Sequence, residues 1–257
     1  MNLHTYLVAY RTIVIKEVRR FSRIWIQTIL PPVVTTALYF VIFGQLIGGQ
    51  LAPIDGYTYM DYIVPGVILM SVINHSYANV VSSFYGSKFG RYVEELLIAP
   101  IPNYVILLGY LTGGVARGLS VGVAVTAVAA WFADFHVHDW GLAIAVVLLT
   151  SFLFSLGGFI NAVYAKSFDD ISIVPTFVLT PLTYLGGVFY SVEMLPGPWH
   201  AVSLVNPILY MVNAFRHGLL GISDVHLGLA FAIILGFIAV LYLFSLSLLR
   251  RGVGIRS

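Results

Sequence analysis

Six long stretches of this chain are almost free of charge, and the basic residues between them are sorted by side. The uncharged runs cover 24–54, 62–87, 96–116 continuing as 118–133, 140–165, 171–192 and 225–249. If each run crosses a bilayer once, Arg11, Lys16, Arg19, Arg20, Arg23, Lys88, Arg91, Lys166, Arg250, Arg251 and Arg256 all fall on one face. Arg216 alone falls on the other, and Arg117 alone lies inside a run. Flanking Lys and Arg resist translocation, so the basic face is expected to be cytoplasmic, with both termini on it.

Composition agrees. The chain has 257 residues, 59% hydrophobic and 9% charged, against about 25% charged in soluble domains. Lipid is the expected solvent. Spans of about 20 residues use up roughly half the chain, which leaves too little for a soluble catalytic domain. The net charge of +2 gives no reason to expect a nucleic-acid partner, because the basic residues border the runs. Without cysteine, thiol catalysis, disulfides and zinc–thiolate sites are excluded. No cleavable signal peptide is expected, since residues 1–23 are basic and amphipathic and the first apolar run comes later.

The expected fold is all-α, a single membrane domain over 1–257 with spans near 24–47, 62–84, 104–133, 140–165, 171–191 and 228–249, and a tail at 250–257. Helices are required because an open strand cannot satisfy its backbone in lipid. The stretch 194–215 is also uncharged, but it holds Pro196, Pro198 and Pro207. As a full span it would put the basic tail outside, so 192–227 is expected to be a broken, re-entrant segment on the outer face. Near the N-terminus, Leu3, Leu7, Tyr10, Val14 and Val18 recur at helical spacing, with Arg11, Arg19 and Arg20 largely elsewhere. That pattern suits a helix lying on the inner membrane surface.

The candidate sites each admit two readings. In the loop 86–102, Arg91, Glu94 and Glu95 precede Leu96, Leu97 and Ile98, and Pro100 ends the turn. This is a short amphipathic helix that either docks on a partner or pairs Arg91 with Glu95 locally. Arg117, near the middle of the third span, costs roughly 2.5–3.5 kcal/mol at a bilayer centre, so it faces the bundle interior, a wet cavity or another subunit. Asn74, His75, Ser76, Tyr77 and Asn79 either bond neighbouring helices or line a path. Gly109, Gly113, Gly114, Gly118 and Gly122 are expected to be close-packing positions. Gly118-Leu-Ser-Val-Gly122 matches a nucleophile-elbow pattern, but inside an apolar helix it lacks the strand–turn–helix setting that chemistry needs. Asp134, His136, His138 and Asp139 form no closed metal set. There is no P-loop, no His-Glu-x-x-His, and no carboxylate inside a span. A membrane enzyme and a proton-coupled carrier are thereby disfavoured. An ATP-independent channel or carrier for a small or amphipathic solute remains open on these residues.

From Leu179 to Arg216 the chain resembles the membrane subunits of type-2 ABC exporters. The resemblance runs through Leu182, Leu185-Gly186, Val188, Leu195-Pro196, Pro207-Ile-Leu-Tyr210 and Arg216. It implies six spans and an N-terminal interface helix carrying Arg11, Lys16, Arg19 and Arg20. It also implies an outer hairpin that includes Pro196, Pro207, Tyr210 and Arg216. By the same resemblance the 86–102 loop is a coupling helix in which Arg91, Glu94, Glu95, Leu96 and Pro100 dock on a separate ATPase. A second copy of the chain, two ATPase subunits and a bacterial inner-membrane location follow likewise. ATP and Mg would be bound by the partner, and no cofactor by this chain. Asn74, Tyr77, Asn79 and Arg117 are the candidate path residues. No substrate is carried over.

Overall fold

The computed structural model describes residues 3–134 and 137–254, and they are helical with no named strand. Arg256 and His136 lie outside the described residues. The α-helices in chain order are α1 (Leu3–Arg23), α2 (Trp25–Tyr39), α3 (Tyr59–Phe89), α4 (Tyr92–Ile98), α5 (Asn103–Phe132) and α6 (Trp140–Tyr164). They continue as α7 (Asp170–Val174), α8 (Thr180–Tyr184), α9 (Gly197–Val205), α10 (Pro207–Leu220) and α11 (Leu227–Arg251). Two π-helical segments extend this series, Phe40–Ile47 after α2 and Pro175–Leu179 between α7 and α8.

Helix α3 is the central post. Thr58 caps it by accepting from the Asp61 amide, and Asp61 in the first turn suits the positive end of the helix. Most of its length is buried against α5, α6 and α10. Small residues let the helices approach. A Cβ on Gly114 would strike Ser155 and Val80, and one on Gly118 would strike Ser76. On α6, a Cβ at Gly158 would lie 2.5 Å from the Tyr77 carbonyl oxygen. Phe84 and Phe159 meet nearby with ring centroids 4.4 Å apart. The packing role expected for the span-three glycines is what these contacts show. Ser120, in the elbow-like pattern, donates to the Ala116 carbonyl within α5.

Helix α2 is patterned inside out. Its buried stripe is Thr28, Pro32 and Thr36, followed by Phe40, while Leu30, Val34 and Leu38 are exposed. Helix α11 likewise exposes Leu229, Leu235, Val240 and Leu243. A soluble chain does not leave such apolar faces uncovered, whereas a lipid-facing helix does. Among the described residues, five helical stretches are long and apolar enough to cross a membrane: Trp25–Gln50, Tyr59–Phe89, Asn103–Phe132, Trp140–Tyr164 and Leu227–Arg251.

The span expected over 171–191 differs from this pattern. Helix extends only from Asp170 to Tyr184, through the π segment, and turns follow. Gly187 takes φ +70°, and a Cβ on Gly186 would lie 2.7 Å from Ile208. The two glycines end the helix in a left-handed turn that fits under α10. Asp170 Oδ2 accepts from the Lys166 and Ser167 amides just beyond α6, and Asn161 donates to the Ile171 carbonyl. At its far end, the Phe189 carbonyl accepts from Tyr59 at the start of α3.

The end of the bundle where α3 stops also gathers the end of α6 and the chain beyond α11. Lys88 Nζ donates to the Val163 and Ala165 carbonyls at 2.6 and 2.7 Å. Gly254, at φ +65°, packs so close to the Val163 carbonyl that a Cβ would lie 2.5 Å from it. Lys16, Arg20, Lys88 and Lys166 therefore share one end with the last turn of α11, which holds Arg250 and Arg251.

Candidate functional sites

Helix α1 is fastened to the bundle by charge. Ile13 and Glu17 seat in the gaps left by Gly109 and Gly113, and Ile13, Glu17 and Phe21 form its buried stripe. The Glu17 carboxylate is fully buried, 3.4 Å from Arg20 and 3.6 Å from Lys16, and accepts from Ser83 Oγ at 2.6 Å. Arg20 turns inward and donates to the Asn79 side-chain oxygen at 2.8 Å and its carbonyl at 2.9 Å. Lys16 reaches Ser87 and Tyr110. Of the stripe expected to meet lipid, Leu3 and Leu7 are exposed, and Tyr10 bonds Thr112 on α5. Arg11 and Arg19 are exposed. The helix has two working faces, not one, and the inward one was missed because Glu17 sits between basic residues that dominate the pattern.

The candidate path residues do not share one cavity. Asn74 and His75 face a groove of about 260 Å³ between α2, α3 and α8. Its other walls include Thr35, Thr36, Tyr39, Thr183 and Tyr184. Each polar group of α3 there bonds its own helix, Asn74 to the Met70 carbonyl and His75 to that of Ser71. Tyr77 is buried against Gly157 and Gly158 of α6, away from the groove. Asn79 is committed to Arg20. Arg117 stands one helical turn beyond Gly113, on the side of α5 that meets α1, with Arg20 and His75 within electrostatic reach. No hydrogen bond or ion pair to its guanidinium is present among the described residues, and its Nε is shielded.

Helix α4 forms a compact projection between α3 and α5. Gly90 ends α3, and Arg91 follows at φ 62°, a left-handed conformation uncommon outside glycine. Val93 anchors α4 and is buried, with Leu96 and Leu97 half-buried against the core. Phe89, Arg91, Tyr92, Glu95, Ile98 and Pro100 are exposed, and Glu94 is half-buried. No ion pair joins Arg91 to Glu95 among the described residues. Leu96 therefore serves the core in part, and the outward surface belongs to Tyr92, Glu95 and Ile98.

At the opposite end, α9 and α10 make a helical hairpin. Asn206 shapes its turn, accepting from the Ile208 amide at 3.0 Å and donating to the Leu182 carbonyl at 2.6 Å. Tyr210 ties the two arms through the Leu204 carbonyl at 2.7 Å. Pro196 is exposed just before α9, and Pro207 opens α10, where a missing amide costs nothing. Arg216 is fully buried. It donates to the Gly187 carbonyl at 2.6 Å and lies over the Tyr62 ring, 4.0 Å from its centroid. Asp224 accepts from Ser191 Oγ and the Val192 amide, and its own amide donates to Asn213. These bonds join α3, the turn after α8, α10 and the entry to α11. Arg216 could be singled out from sequence as the lone cation at this end, but its partners are a carbonyl and a ring, which leave no charge signal.

Among the described residues no group of His and carboxylates could hold a metal ion, and His138 instead packs edge-on against His217.

Comparison with known proteins agrees with this architecture. The chain is 56% identical over 255 residues to the inner membrane transport permease YadH of Escherichia coli K12, covering 99% of this chain and all of that one. It is 24% identical over 232 residues to nodulation protein J of Rhizobium meliloti, covering 90% of this chain and 88% of that one. A similar protein from Rhizobium leguminosarum bv. viciae is 23% identical over 227 residues. The ABC-2 type transporter family model matches residues 8–220, from within α1 to the end of α10. A charge-fastened α1, a projecting α4 and a buried-arginine hairpin all fall within that match, and the chain belongs to the ABC-2 type transporter family.

Proposed function

We propose that this chain is the permease subunit of an ATP-driven exporter, pairing with a second copy of itself and with two copies of a separate ATPase. The observation that carries the reading is α4. It projects from the basic end of the bundle and exposes Tyr92, Glu95 and Ile98 side by side with Phe89 and Arg91. An apolar surface rimmed by charge suits a groove on a soluble partner. The positive-inside rule puts that end in the cytoplasm, where an ATPase would be. The E. coli relative is an inner membrane transport permease, which is the ground for a bacterial inner membrane here.

Six crossings are supported by the segment from Asp170 to Phe189, which starts beside the end of α6 and finishes beside the start of α3. Its helix is about 22 Å long, and the turn around Gly187 completes the passage. The hairpin of α9 and α10 then lies on the outer side, re-entrant, with Arg216 holding it to Tyr62 and the 187 turn. The groove lined by Asn74 and His75 is our candidate for the path, closed by the second copy. Helix α1 would be the interface helix, with Leu3 and Leu7 toward lipid. ATP and Mg belong to the partner, whose closure would move α4.

The test is recruitment. In Y92A/E95A/I98A, co-purification of the co-expressed ATPase is expected to fall roughly tenfold, since the centre of an interface carries most of its energy. The bundle should fold normally, because Val93, Leu96 and Leu97 are untouched. Wild-type recruitment by that variant would remove the coupling role. Solute movement by the reconstituted chain alone, without nucleotide, would favour the channel or carrier instead.

A further inference from the structure

Helices α5 and α6 meet closely at one level and part at another. Where Gly114 faces α6, a Cβ would strike Ser155, so the two helices are in direct contact there. Further along, toward the end that carries the α9–α10 hairpin, a groove of about 240 Å³ opens between them. Small residues make the room, Gly122 on α5 and Ala143 on α6. The floor is Ile68 of α3 with Phe215 and Leu219 of α10, all buried. The mouth lies between Val123 and Ile144, which are 71% and 54% exposed. Thr126 also lines the groove, but its hydroxyl is spent on the Gly122 carbonyl. Among the described residues no charged side chain lines it.

The groove has a definite depth in a bilayer. Trp131 on α5 and Trp140 on α6 are both exposed, near the ends where one short loop joins the two helices. Exposed tryptophans gather at the membrane–water interface. From Trp131 to Leu119, the lining residue of α5 farthest from that end, is about 18 Å along the helix axis. Half of a ~30 Å hydrocarbon core is about 15 Å. The groove thus starts near the interface, with Trp140 in its wall, and reaches the midplane.

We propose that this groove is a binding site for one acyl chain of a phospholipid, in the leaflet at the hairpin end of the bundle. Three observations select that occupant. The walls ask for no hydrogen bond or charge, and methylene groups would restore the contacts that empty apolar space forfeits. The mouth opens sideways from two spans, through residues that face lipid. The length is that of one leaflet. A helix of a second copy, about 10–12 Å across, is too wide for so small a volume. The seated chain would rest on Phe215 and Leu219, which flank Arg216 in α10, and so would brace the hairpin from the lipid side. The site lies within one chain and does not depend on an ATPase.

The experiment uses the full chain purified in a neutral detergent. The probe is a phosphatidylcholine with a photoreactive diazirine in the middle of one acyl chain, supplied in equimolar amount. After illumination, adducts are located by peptide mass spectrometry. The floor residues Ile68, Phe215 and Leu219 can be reached only from within the groove, because lipid passing over the surface does not touch them. Their adducts are expected to exceed those on Leu235, Val240 and Leu243, the exposed face of α11, by about fivefold or more. In V123W/I144W, which crowds the mouth and leaves the floor intact, they should fall to the α11 level. Should that pair not fold, V123W alone, at the more exposed position, is read the same way. Adducts confined to Val123, Ile144 and Trp140 at the α11 yield would mean passing lipid only, and would overturn the proposal. Floor adducts undiminished by crowding the mouth would overturn it as well. So would disulfide-linked dimers of I144C formed in the native membrane, since they would put a second copy over the mouth.

Discussion

Replacing Glu17 with alanine is expected to destabilise the protein by about 3 kcal/mol, the lower end of what breaking a buried ion pair costs. The lower end applies because Arg20 and Lys16 are only partly shielded, and Arg20 keeps its two bonds to Asn79. The loss has three parts. The carboxylate no longer neutralises Arg20 and Lys16, Ser83 loses its acceptor, and the gap against Gly113 is left unfilled. E17Q separates them, since it fills the gap and can accept from Ser83 but removes the charge, and it should lose about half as much. Unfolding in detergent, followed alongside proteolysis between α1 and α2, reads both stability and detachment. Stability of E17A within about 0.5 kcal/mol of wild type, the range of ordinary surface substitutions, would show that α1 is held by its apolar contacts alone.

Substituting valine for Gly158 should cost about 3 kcal/mol, at the upper end of ordinary overpacking. The atoms a Cβ would meet are backbone, the Tyr77 carbonyl oxygen at 2.5 Å and the Val81 nitrogen at 3.3 Å. A flexible side chain could move aside, but the axis of α3 cannot move without parting Phe84 from Phe159. Gly157 is the control. Its Cβ would meet only the Tyr77 ring, at 3.7 Å. G157V should therefore stay within about 1 kcal/mol, helped by the poor helix propensity of the glycine it replaces. Equal losses at the two positions, measured by thermal unfolding, would refute backbone contact as the cause.

Some of this was readable in the chain itself, and the divide is physical. Charge-free runs report solvent, and lipid imposes one rule on every residue of a run. Hence α3, α5, α6 and α11 lie close to where the runs placed them. The glycines of α5 were legible because close packing needs absent side chains, and absence is visible in sequence. Interactions between a charge and a neutral group leave no such trace. Nothing in the composition pairs Arg216 with the Gly187 carbonyl or Arg20 with Asn79. The run at 171–192 shows only part of its structure in sequence, for a related reason. Its hydropathy is continuous, but Gly187 is left-handed, and the helix stops at Tyr184. For the candidate path, spacing on α3 grouped Asn74, Tyr77 and Asn79. Rotation by about 100° per residue sends them to the groove, α6 and α1 respectively.

The π segments at Phe40–Ile47 and Pro175–Leu179 act as phase shifters. A π-bulge behaves as one residue inserted into an α-helix, so every side chain beyond it is turned relative to those before. Thr183 and Tyr184 face the groove because they come after such an insertion. Deleting one residue between 175 and 179 should remove that insertion and leave both on the groove side, whereas deleting one between 180 and 182 should swing them away by about 100°. Cysteines at positions 36 and 183, which line the same groove, would then be bridged by a bifunctional thiol reagent in the full-length chain and in the first deletion, and not in the second. The face that this broken helix shows to the groove is thus set by backbone phase before it is set by the choice of side chain at positions 183 and 184.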